Sequence, residues 1–253
     1  MRGVILAAGA GTRLTGSDVV RPKCLAPFAG TPLIDLQVRA LRACGVDDVT
    51  VVVGFEAERV RRACGPGVRC VENPDFAKTN SLYSLWLARP LLLQGFVVLN
   101  CDVLFHPAML ADLLTAGHEN ALLVSYPEDG DPPFSDEEMR VCVRRGRVAD
   151  VRKDLPDSLT DGENVGIVKF SARGAARLAA SMDRIVASGS LRDWAPRAFG
   201  EFASTDRLYA LGTRGLPWTE IDTPEDYQRA VQRVFPAIRG AMEDLAAPLR
   251  RGA

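Results

Sequence analysis

Short unbroken apolar runs alternate with amphipathic stretches along the first half of the chain. "GVILAA" (3–8), "DVTVVVGF" (48–55), "VRCVEN" (68–73), "GFVVLNCD" (95–102) and "NALLVSYP" (120–127) read as strands. Most lack a two-residue alternation, as expected of parallel strands covered on both faces. Between them "TPLIDLQVRALRACG" reads as a helix, with Thr31 as N-cap, Pro32 at the first helical position and Gly45 just past its end. "EAERVRRACG", "NSLYSLWLARPLLL" and "PAMLADLLTAG" supply three more helices. Alternation at this spacing implies right-handed βαβ units in a doubly wound, mostly parallel α/β sheet.

After Pro127 the pattern changes. "EDGDPPFSDEE" is an acidic loop, "RVCVRRGRVADVRKDL" a hairpin turning near Arg145 and Gly146, and "NVGIVKFS" a strand. A helix over roughly 171–188, a strand "RLYALGT", a short extended "PWTEID" and a helix from Thr223, broken at Pro236, complete the chain. No linker separates two domains. The expectation is a single domain over 1–253, with a nucleotide-binding half (1–127) and an acceptor-binding half plus C-terminal helix (128–253).

The balance of 31 basic and 32 acidic residues gives a net charge of −1. Nothing in it favours a nucleic-acid partner. Six cysteines without a CxxC pair and only two histidines argue for reduced thiols and against zinc. No run reaches the roughly 20 apolar residues of a membrane span, and "VILAA" is too short for a secretion signal. A cytoplasmic protein with no membrane partner is expected; oligomeric state stays open, a homo-oligomer included.

The first strand runs directly into "AAGAGTRL", at the sheet edge where open parallel sheets bind ligands. Gly9 and Gly11 fit either a tight turn or a phosphate cradle of backbone N–H groups. The loop is neither a Walker A motif nor a G-x-G-x-x-G, because Leu14 stands at the third glycine. "RPKCLAPFAGTPLI" follows soon after, so Arg13 and Lys23 flank the loop as two cations.

Together, "LAAGAGTRL" and "PKCLAPFAGTPLI" resemble the signature of the sugar-phosphate and cytidylyl nucleotidyltransferases, which share a glycosyltransferase-A-like fold. The resemblance implies that Ala7, Ala8, Gly9, Ala10, Gly11 and Thr12 wrap the nucleotide phosphates. It further implies Arg13 on the β- and γ-phosphates and Lys23 on the reacting α-phosphate, both as catalytic cations.

Nucleotidyl transfer to an anionic acceptor calls for Mg²⁺ held by carboxylates. Asp102 closes its strand at the same sheet edge, although "NCDV" replaces the family's usual Gly-Asp; a helix N-cap is its plainer role. If "WTEID" is extended, Trp218, Glu220 and Asp222 share a face while Thr219 and Ile221 turn to the core. The resemblance implies Asp222 as the second metal ligand, with Glu220 assisting; capping the next helix is the alternative for Asp222.

In "NPDFAKTNSLYSLW" the turn with Asn80 and Ser81 is similar to that of phosphocholine- and phosphonate-type cytidylyltransferases, which implies contacts to cytosine; capping alone is the plainer role. The same resemblance places Lys153 and Glu163 toward the acceptor. Trp218 offers a face to a quaternary ammonium. These residues point to an enzyme transferring CMP from CTP to a small phosphate- or phosphonate-bearing acceptor, phosphocholine-like or 2-aminoethylphosphonate-like, with release of pyrophosphate. A sugar-1-phosphate nucleotidyltransferase using UTP, dTTP or GTP shares every motif but the Asn80 turn, and a non-catalytic nucleotide-binding regulatory module would share the fold.

Overall fold

In the computed structural model, residues 1–11, 14, 22–128 and 134–246 are described. The first half contains β1 (Arg2–Ala7), β2 (Pro27–Phe28), β3 (Thr31–Pro32), α1 (Leu33–Ala43), β4 (Val49–Val53), α2 (Ala57–Ala63) and β5 (Arg69–Glu72). It continues with α3 (Ser81–Ala88), β6 (Phe96–Asn100), β7 (Val103–Phe105), α4 (Pro107–Thr115) and β8 (Ala121–Ser125). The second half adds β9 (Arg140–Arg144), β10 (Arg147–Arg152), β11 (Gly162–Phe170), α5 (Ala172–Ala187) and α6 (Ala195–Thr205). Then come β12 (Tyr209–Gly212), β13 (Trp218–Glu220), α7 (Pro224–Arg229) and α8 (Phe235–Ala246).

One sheet runs through both halves in the order β5-β4-β1-β6-β11-β8-β12-β10-β9. The pairings β4–β5, β1–β4, β1–β6 and β8–β12 are parallel. Only β11 and β10 run against the other strands. Alternate residues of the buried strands feed opposite layers, as the pleat requires. Val4 and Leu6 of β1 join a core with residues of α3, α5 and α6, whereas Ile5 and Ala7 join one with residues of α1, α2 and α4. A smaller core holds Phe28, Leu104 and Ile221 with Ala230, Ile238 and Met242 of the C-terminal helices.

Four sequence expectations need correction. Thr31 and Pro32 do not open α1: they pair with β2 across a turn at Ala29 and Gly30, both at positive φ. The Leu33 N–H donates to the Ala26 carbonyl, so the helix starts one residue later than proline placement suggests. Helix α6 was not expected; Pro196 and Gly200 look like breakers, but a proline in the first helical turn sacrifices no intrahelical bond. Asp102 lies past the end of β6, in a turn that leads to β7. Pro236 does not break the C-terminal helix, because a π segment over 230–234 immediately before it absorbs the misfit.

Two glycines allow close backbone approaches, Gly54 beside Ala8 and Gly166 beside Asn100. The Phe55 N–H donates to the Ala8 carbonyl at 3.0 Å, and a Cβ at Gly54 would stand 2.7 Å from that carbonyl oxygen and from Phe76 Cβ. Gly166, at φ +80°, lets β11 pass Asn100, whose side-chain nitrogen a Cβ would meet at 2.6 Å. Gly54→Ala is therefore expected to cost about 1–3 kcal/mol of stability, the range for overpacking. Chemical denaturation against wild type measures it.

Candidate active site

The carboxyl ends of β1, β5 and β6 open onto a cavity of about 420 Å³. Gly9 and Gly11 line it, and a Cβ on Gly9 would meet no atom within 4 Å. The bare backbone there faces open space. Thr12 and Arg13 lie outside the described residues, and Ala7 is buried at the end of β1.

On the cavity floor three charged side chains meet. Lys23, at the start of a short 3₁₀ turn, places Nζ 3.2 Å from Asp102 Oδ2 and also ion-pairs with Asp222. Burial alone would lower the Lys23 pKa. The facing Asp102 charge, with the hydrogen bond and charge of Asp222, outweighs it and the pKa is raised. Lys23 thus stays a cation at neutral pH.

Backbone structure aims the two carboxylates. Strand β13 pairs with β7, setting Glu220 opposite Val103, and the Ile221 N–H then donates to the Asp102 carbonyl at 2.9 Å. Thr219 and Ile221 are buried as expected of alternation. Buried Gln37 of α1 donates to both the Asn100 and Val103 carbonyls, at 2.9 and 2.8 Å, clamping the turn that carries Asp102. Neither aspartate serves as a helix cap. His106 Nδ1 accepts from the Ala108 N–H, and Thr223 with Asp226 forms a capping box. The Cys101 thiol shares a hydrogen bond with Cys24; that bond and burial raise its pKa well above the ordinary value, leaving a poor nucleophile.

The donor set suits Mg²⁺, which takes one or two carboxylates beside water and substrate phosphates. Asp102 and Asp222 already converge on one cation position, filled here by the Lys23 ammonium. Among the described residues no group of three or more His, Cys, Asp or Glu could hold a metal by itself. Glu220 lines the same cavity. Burial first, then the charges of Asp102, Glu163 and Asp222, push its pKa well above the carboxylate range.

Asn80 and Ser81 line one wall, and both are engaged. The Asn80 Oδ1 accepts from the Ser81 N–H, and the Ser81 hydroxyl accepts from the Ala195 N–H. The backbone N–H groups of Asn80 and Leu82 donate to the Leu191 and Asp193 carbonyls. Asn73, which sequence reasoning passed over, donates from one amide to Thr79 Oγ1 and Ser84 Oγ, each at 3.0 Å. Its signal was its place directly after β5, at the ligand-binding edge.

The acceptor-side candidates separate. Lys153 lines the cavity, with Nζ 3.0 Å from Glu137 Oε2 and 5.0 Å from the centre of the Trp194 ring. Trp194 is 47% exposed, and it is the tryptophan that borders this space. Trp218 does not: its indole N–H donates to Ser125 Oγ at 3.2 Å and its ring packs on the core. Glu163 is also outside, in an adjoining hollow with Trp218, Glu138 and Arg229.

Burial, then the Glu138 charge, raises the Glu163 pKa to about 7 despite Arg229. Between its ordinary 4.5 and about 7, the folded protein holds a proton that the unfolded chain has released. Stability therefore falls as pH rises through that window and levels above it. Glu163→Gln should remove this loss, gaining on wild type by up to about 3 kcal/mol between pH 4.5 and pH 8. Denaturation midpoints across pH test it; a pH-independent difference contradicts it.

Comparison with known proteins agrees with this architecture. Residues 3–180 match the model of the MobA-like NTP transferase domain. The chain is 35% identical over 236 residues to the bifunctional IPC transferase and DIPP synthase of Rubrobacter xylanophilus, covering 91% of this chain and 51% of that protein. It is 32% identical to the CMP-5'-(3-aminopropyl)phosphonate synthase of Streptomyces rubellomurinus, covering 93% of this chain and 39% of that one. It thus spans about half the length of the first relative and less of the second. The solved CTP:phosphocholine cytidylyltransferase of Streptococcus pneumoniae superimposes with a TM-score of 0.75 at 25% identity, over 91% of this chain and 97% of that one. With its glycine loop, sheet and matched residues together, the chain belongs to the MobA-like NTP transferase family.

Proposed function

We propose that this chain is a Mg²⁺-dependent cytidylyltransferase that joins CMP from CTP to a small phosphate- or phosphonate-bearing acceptor and releases pyrophosphate. The observation that carries the reading is the meeting of Lys23, Asp102 and Asp222 in the cavity bordered by the glycine loop. The relatives whose names include a CMP product or a CTP substrate favour cytosine.

The backbone of Gly9–Gly11 cradles the triphosphate. Lys23 offers its charge to the α-phosphate as the acceptor oxygen attacks phosphorus in line and the bond to the pyrophosphate oxygen breaks. Bound at Asp102 and Asp222, with Glu220 nearby, Mg²⁺ would supply charge neutralisation to the phosphates. No covalent intermediate is needed, so catalysis is positioning and electrostatics. The Asn80 amide N–H groups and the Ser81 hydroxyl proton read the base, since the Asn80 and Leu82 backbone donors are already occupied, and Asn73, bonded through both its amide and its carbonyl, positions that turn.

A cationic acceptor fits the opposite wall. The Lys153 ammonium rests between the Trp194 ring and the Glu137 carboxylate, a pairing that a substrate amine or quaternary ammonium matches. This moves the aromatic face expected of Trp218 to Trp194.

Pyrophosphate release measured for CTP, UTP, dTTP and GTP against phosphocholine, 2-aminoethylphosphonate and glucose-1-phosphate tests the reading. CTP with an amine-bearing acceptor should give the highest kcat/KM; a win for glucose-1-phosphate with another nucleotide overturns it. No turnover with any pair would leave a nucleotide-binding module. Asp102→Ala and Asp222→Ala should each lower kcat/KM by at least about 100-fold, or about 2.7 kcal/mol of transition-state stabilisation, with circular dichroism unchanged. Full Mg²⁺-dependent turnover in either variant removes the metal assignment.

A further inference from the structure

A second, larger cleft lies at the opposite edge of the sheet. Its volume is about 740 Å³, and it shares no lining residue with the candidate active site. Residues 117–120 precede β8, Tyr209 opens β12 beside Ala121, and Arg147 opens β10 beside Tyr209. The other end of β8, at Ser125, faces Trp218.

Four arginines, Arg147, Arg173, Arg177 and Arg207, line this cleft. Arg177 is paired with Asp206. Among the described residues, no ion pair engages Arg147, Arg173 or Arg207. Against four guanidinium groups the lining offers two carboxylates, Glu119 and Asp206. In a chain of near-balanced charge this is a local positive excess, and a concave wall concentrates its field.

Hydrogen bonds and ring stacking hold the rest of the lining. Asn120 is buried, accepts from the Ser171 N–H and donates to the Arg207 carbonyl, fixing three segments of the wall together. His118 stacks on Tyr209 with ring centres 4.0 Å apart and planes within 10°. The exposed His118 ring thus forms an aromatic shelf beside the arginines.

We propose that this cleft is a second anion site, binding a small molecule that carries a polyphosphate group: inorganic pyrophosphate or a nucleoside di- or triphosphate. Planar guanidinium forks match phosphate oxygens two at a time, and several forks around one cleft suit a chain of phosphates better than a single one. The volume lies within the usual range of small-molecule sites.

Equilibrium dialysis of the full chain with labelled pyrophosphate, at low salt and with a chelator present, tests the site. One bound equivalent should survive in Lys23→Ala and weaken at least 10-fold in Arg173→Glu/Arg207→Glu. The matched reversal Arg62→Glu/Arg233→Glu, away from the cleft, should retain it. Inorganic phosphate should bind at least 10-fold more weakly than pyrophosphate. CTP binding here as tightly as pyrophosphate assigns the phosphates alone; a 10-fold preference for CTP, lost in His118→Ala, adds a base on the shelf. If the double variant proves unfolded by circular dichroism, Arg147→Ala reads the same loss. No equivalent in Lys23→Ala, or equal weakening in the Arg62/Arg233 control, overturns the proposal. Because the readout is binding outside the cavity, it stands apart from whether the chain transfers nucleotides.

Discussion

The hydrogen bond from the Ile221 N–H to the Asp102 carbonyl holds the candidate site together. It extends the short antiparallel pairing of β7 with β13, and so brings a carboxylate from the end of the chain beside one from its middle. Residues 102 and 222 are too far apart in sequence for any local preference to join them. Two strands of three residues are marginal alone. Burial of Leu104 and Ile221 against the C-terminal helices holds this pair in place, so packing remote from the cavity sets the distance between two acids inside it.

Electrostatics then makes the floor of the cavity self-consistent. A buried lysine without partners would lose its proton, and two close carboxylates without a cation would repel. Each supplies what the other lacks. Glu220 is the odd member: burial first, then its place as a third carboxylate beside one ammonium, with the Glu163 charge in the adjoining hollow, make it reluctant to ionise. A cavity built this way favours cations and the phosphates they bring.

The two halves contribute differently because β11 reverses the sheet. It runs against both β6 and β8, and where its pairing with β6 is absent, at Gly162 and Glu163, it pairs with β9 while Glu163 stays paired with β8. The register shifts between Asn164 and Val168, around Gly166, and there Asn100 and Asn164 reach the cavity. The hairpin of β9 and β10 is thereby carried to the cavity's far wall, and Lys153 follows β10 into it.

Local chemistry was readable where it acts locally. Unbroken apolar runs meant strands buried on both faces, and those strands split their side chains between two cores. Lys23 after Pro22, the glycines after β1 and the acid after β6 were marked by residue type and by position at a sheet edge. What the sequence left undecided were choices among equals. Trp194 rather than Trp218 borders the cavity, because alternation places a side chain on a face but does not say which strand neighbours that face. Gln37 looked like any helical glutamine until tertiary packing set its amide between two turn carbonyls. The arginines at 147, 173, 177 and 207 are scattered in sequence and line one cleft only where β8, β10, β12 and α5 begin and α6 ends. Periodicity reports what lies within a few residues; convergence depends on pairings across the whole chain, and those only the folded structure decided.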